Sequence, residues 1–76
     1  MNITVKLFAQ YRQNKFNEAE KSYPENTTIE QVIKDIGIDI EKYPIGIILI
    51  NGRHADEKQV LQNNDVLSIF PKVGGG

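Results

Sequence analysis

The sequence contains no cysteine at all. Disulfide stapling, thiolate metal centres, iron–sulfur ligation and cysteine nucleophiles are therefore excluded, and with them any sulfur chemistry carried by a side-chain thiol. Histidine occurs once, as His54, which cannot build a metal site alone. Long apolar runs are missing too. The longest, "IGIILI", is far short of the ~20 residues that span a bilayer. The opening "MNITVKLF" alternates and lacks the continuous apolar stretch of a signal peptide, so a cytoplasmic location is expected. Charge of one sign is also scarce. A net charge of -1 gives no general attraction to nucleic acid or anionic lipid. Finally, there is little chain. Seventy-six residues make one small domain, which buries about 60% of its unfolded surface and leaves no room for a deep enclosed substrate pocket.

What is present reads as strands around one helix. "NITVKLF" places Ile3, Val5 and Leu7 on one face of a strand and Thr4, Lys6 and Phe8 on the other. "AQYRQNKFNE" is polar and predicts a loop, and a weaker strand follows over Glu18 to Tyr23. "TTIEQVIKDIG" is a helix: Thr28 and Gln31 have capping-box spacing, Ile29, Val32, Ile33 and Ile36 form one stripe, and Gly37 ends it. "IGIILI" predicts a strand, "NG" a tight hairpin turn, Arg53 to Ala55 a short return strand, and "VLSIF" a last strand with Leu67 and Ile69 on the inner face. The order predicts an α+β domain in which one helix covers one face of a mixed sheet.

The other face is left open, and Phe8, Leu49 and Phe70 fall on it. Three bulky apolar residues there mark a candidate partner-binding patch; the alternative is that loops half-bury each one. Pro71 lacks an N–H and is expected to end the pairing, which gives a folded domain over 1–71 and a free tail over 72–76. That tail, Lys72, Val73, Gly74, Gly75 and Gly76, reaches at most roughly 17 Å. Glycine leaves the terminal carbonyl sterically open. A terminal carboxylate, with a pKa near ~3.5, is ionised and inert until activated, as by adenylation. The alternative is a frayed end without a role.

Taken together, "VKLFAQYR", "INGR" and "LQNNDVLSIFPKVGGG" resemble the MoaD/ThiS sulfur carriers of the ubiquitin-like β-grasp superfamily. Leu7, Phe8, Ala9 and Arg12 look more like the small subunit of molybdopterin synthase than the thiamine carrier. The chain departs from the family pattern at Lys72, where a second proline is common, at Asn64-Asp65, where Gly-Asp is usual, and at Gly74. The resemblance implies a non-enzymatic carrier with a β-grasp fold. An E1-like enzyme would use ATP to adenylate Gly76, leaving a transient acyl-adenylate and no permanently bound cofactor. A persulfide donor would then leave a thiocarboxylate. Phe8, Leu49, Phe70 and Pro71 would dock the E1-like enzyme and the large synthase subunit in turn, and Lys72 to Gly75 would carry Gly76 into the partner. A thiamine-type carrier, a ubiquitin-like modifier joined through Gly76, and a docking module with inert glycines stay open. His54 and Asp56 to Lys58 read as solvated, and Glu18 and Glu20 as local partners for Lys21.

Overall fold

The first strand is built by strict alternation, and its inward residues set the rest of the architecture. The computed structural model describes residues 1–73. Strand β1 spans Asn2–Leu7, β2 Glu18–Ser22, β3 Ile45–Ile50, β4 Arg53–His54 and β5 Val66–Pro71, with helix α1 over Ile29–Ile36. The sheet order is β2-β1-β5-β3-β4, with β1 and β5 parallel and every other pair antiparallel. Side chains opposite one another across neighbouring strands lie on one face. Val5, Leu67 and Ile50 therefore form one inner row, and Leu7, Ile69 and Ile48 the next. Ile29, Val32, Ile33 and Ile36 of α1 complete this core. Val5, Leu7, Leu67 and Ile69 are fully buried; each such side chain contributes about 1.5–3 kcal/mol on leaving water.

Helix α1 is too short to persist alone and is held at both ends. The Thr28 hydroxyl accepts from the Gln31 N–H, and the Gln31 side chain accepts from the Thr28 N–H at 2.8 Å. Gly37 ends the helix in the left-handed region, φ 78°.

The polar segment after β1 is not an open loop. Ala9–Arg12 forms a 3-10 turn, and Tyr11 within it is buried, its hydroxyl donating to the Tyr43 carbonyl at 2.6 Å. Burial holds the Tyr11 phenol above its ordinary pKa. Tyr11 and Phe16 in this largely polar stretch carry no periodicity, so the anchor is invisible to pattern. Glu18 pairs not with Lys21 but with Lys6 across the strands, at 3.7 Å.

The hairpin turn is Asn51-Gly52, with φ 51° and 81°, as its dipeptide requires. Asn51 also ties the hairpin to β5: its Nδ2 donates to Asp65 Oδ1 and its Oδ1 accepts from the Val66 N–H, both at 2.9 Å. Asn51→Ala loses both bonds and the left-handed preference and is expected to cost about 2–3 kcal/mol in urea unfolding. Asn51→Gly keeps the backbone and is expected to recover about 1 kcal/mol of that loss. Equal costs for the two variants would remove the backbone share of the effect.

Pairing does not stop at Pro71. Pro71 is buried, pairs with Ile45, and is followed by a bond from the Lys72 N–H to the Pro44 carbonyl at 2.7 Å. A proline in a strand forfeits only its own donor; its carbonyl and the next residue's N–H stay available. Lys72 thus belongs to the folded body, one residue beyond the expected boundary.

Candidate functional site: the open sheet face and the root of the tail

Two neighbouring rows on the face opposite α1 bear on the patch. One runs Glu18, Lys6, Ser68, Leu49, His54. The next pairs Phe70 with Ile47, and Phe8 stacks on Phe70 with ring centroids 4.0 Å apart and planes 12° apart. Phe8 and Phe70, neighbours only in space, are thereby brought together, and Leu49 lies diagonal to Phe70 in the adjacent row. All three are half-buried. Stacking of this kind contributes about 0.5–1.5 kcal/mol beyond area burial.

Arg12 closes the free side of the stack. Its Nε donates to the Leu7 carbonyl at 2.8 Å, which holds the guanidinium carbon 5.2 Å from the Phe8 ring centre. A cation placed so over an exposed ring is worth about 0.5–1 kcal/mol. The 3-10 turn is what returns Arg12 to β1; without that turn the spacing of Phe8 and Arg12 has no geometric meaning.

The structure adds Ile47 to the patch, 44% exposed and among the most open large apolar side chains described. The signal was in the sequence: counting back from Asn51, Ile47 points outward with Leu49. Pro71, by contrast, is buried and offers no surface to a partner.

Of the tail residues, Lys72 is tied down by the bond to Pro44, and Val73 is 88% exposed. Gly74, Gly75 and Gly76 lie outside the described residues. His54 is exposed, as its place after the turn implies. Among the described residues no group of His, Cys, Asp or Glu is placed to hold a metal ion, and no helix is long and apolar enough to cross a membrane.

A five-stranded mixed sheet, one helix on one face, and an exposed patch that runs into the last strand define a ubiquitin-like β-grasp domain. The chain belongs to the ThiS family, whose sequence profile matches residues 5–76, and so to the MoaD/ThiS sulfur carriers. No curated protein matches it by sequence. Solved structures do. One, described as molybdopterin converting factor, subunit 1, from Pyrococcus furiosus, is 27% identical over 96% of this chain and 99% of that one, with a TM-score of 0.78. SAMP1 from Haloferax volcanii shares the fold at 19% identity over all of both chains, TM-score 0.74. So does a chain in the complex of subunits 1 and 2 of the molybdopterin-converting factor from Helicobacter pylori, at 18% identity over all of both chains, TM-score 0.66.

Proposed function

We propose that the chain is the sulfur-carrying small subunit of a molybdopterin-synthase type complex, with the reactive group at Gly76. The observation that carries this reading is the continuity of patch and tail. Phe70 stacks on Phe8 and pairs with Ile47 in the patch, and two residues later the Lys72 N–H donates to the Pro44 carbonyl, the last main-chain bond among the described residues. A partner that covers the cluster is handed the tail. From Lys72 four further residues reach at most about 14 Å, enough to enter the partner's own active site. Membership of the ThiS family supports the class, and the match to a subunit 1 supports a larger partner subunit.

The chemistry needs no side chain of this protein. A carboxylate oxygen of Gly76 attacks the α-phosphorus of ATP in the activating enzyme, and pyrophosphate leaves. A persulfide sulfur then attacks the acyl carbon and AMP leaves, giving an acyl disulfide. A thiol attacks the donor-side sulfur of that bond, is oxidised to a disulfide, and releases the thiocarboxylate. The bound sulfur is then delivered by the tail to an acceptor in the large subunit.

The test is intact mass. Chain incubated with an E1-like enzyme, ATP and a persulfide donor should gain the mass difference between sulfur and oxygen, confined to the C-terminal peptide. Addition of the large subunit and its precursor should reverse the gain. No gain overturns the reading, and transfer of Gly76 to lysines of other proteins makes the chain a modifier instead.

A further inference from the structure

Strand β3 contains one irregularity, and it lies against the root of the tail. Ile47 pairs with Phe70 and Ile45 with Pro71, so Gly46 is an extra residue, a bulge opposite the last step of β5. The bulge turns Ile45 inward and lets Pro71 follow Phe70 in regular alternation. Gly46 does not have a positive φ, so glycine is not needed there for its backbone angles. It is needed for space. A Cβ at this position would stand 2.8 Å from the Lys72 Cα, 2.8 Å from the Pro71 carbonyl oxygen and 2.9 Å from the Lys72 nitrogen. All three are main-chain atoms, so no side-chain rotation relieves the contact. On the same few atoms the Lys72 N–H donates to Pro44 at 2.7 Å.

We propose that Gly46 is a positioning residue: with the Pro44 carbonyl it forms a seat for the Lys72 main chain that fixes the direction in which the tail leaves the sheet. The proposal rests on the sulfur-carrier reading for its consequence, since direction matters only if patch and tail engage one partner together. A docked patch fixes the body, and the seat then fixes where the tail points. With about 14 Å of chain beyond Lys72, a tilt of about 20° at the root moves an extended end by roughly 5 Å. Misplacement of a reacting atom by about 1 Å already costs on the order of 100-fold in rate.

Two altered chains and one unaltered one test this. In the unaltered chain the Lys72 amide should exchange with solvent at least about tenfold more slowly than the Val73 amide, because it is bonded. Equal rates remove the seat. Gly46→Ala should lower kcat for pyrophosphate release by the activating enzyme at least about tenfold and leave KM within about twofold, since the patch is untouched. An unchanged kcat overturns the proposal. If Gly46→Ala does not fold, a synthetic chain with an ester in place of the Pro71–Lys72 amide removes the single donor and keeps Gly46. Its kcat should fall at least about threefold at constant KM, and no fall overturns the proposal. If the unaltered chain is not activated at all, it is the carrier reading that fails, and amide exchange still decides whether the seat exists.

Discussion

A chain whose Gly76 is capped as an amide, or extended by one alanine, is expected to take up no sulfur. The prediction follows from the proposed carrier chemistry at Gly76. No cysteine is present to hold sulfur, and the one histidine, His54, is exposed beside a turn. In the proposed chemistry the main-chain carboxylate of Gly76 is the reacting group, and it has to be ionised to attack ATP. An amide is a far weaker nucleophile toward phosphorus. An added alanine puts a methyl next to the acyl carbon and shifts the reacting atom by one residue, about 3.5 Å, which is beyond what a positioned site tolerates. Both changes lie past Lys72, so unfolding by urea should match the unaltered chain, which separates loss of chemistry from loss of structure. Binding to the large subunit should persist, since the patch is intact. Sulfur uptake by either blocked chain, measured as intact mass, would place the reactive atom elsewhere.

Most of the scaffold was legible because its elements obey one period at a time. Ile3, Val5 and Leu7 alternate, the α1 stripe repeats every three to four residues, and Asn51-Gly52 names its own turn. These are local signals, and the core agrees with all of them. Unread from the sequence were the contacts that join distant residues by departing from a period. Tyr11 sits in a polar stretch with no repeat, and its burial depends on Tyr43, which only the closed fold brings near. The bulge at Gly46 breaks the alternation of an otherwise regular strand, and a glycine in an apolar run does not say which backbone approaches it. Pro71 misled for a related reason. Proline does remove a donor, but this strand needed none from it, and the next donor, on Lys72, found Pro44. The patch was half visible: alternation put Phe8, Leu49 and Phe70 outward, while the stack of Phe8 on Phe70 required β1 and β5 to be parallel neighbours.

That stack gives the second large effect. Phe8→Asp or Phe70→Asp is expected to weaken the complex with the large subunit by at least 30-fold, which is ~2 kcal/mol or more. Aromatic side chains at the centre of an apolar cluster are the usual anchors of an interface, and a carboxylate placed there would be desolvated without a partner. Neither ring belongs to the buried core, so each single variant should keep its fold, at a cost of about 1 kcal/mol for the lost stacking. Circular dichroism would confirm this before binding is measured by calorimetry. Glu20→Lys is the control. Glu20 lies opposite Thr4 on the same outer face, but on edge strand β2, away from the Phe70 and Ile47 row. A rim charge of this kind should change affinity by no more than about threefold. If Phe70→Asp binds as the unaltered chain does, the open face is not the docking surface. If Glu20→Lys is as damaging as Phe70→Asp, attraction of charge outweighs the apolar cluster. The two rings should also fail to act independently. Because Phe8 leans on Phe70, removing either frees the other, so Phe8→Ala and Phe70→Ala together should cost less than the sum of their separate costs by about 0.5–1.5 kcal/mol. Strict additivity would mean that the partner meets two separate side chains, not one surface made by their contact.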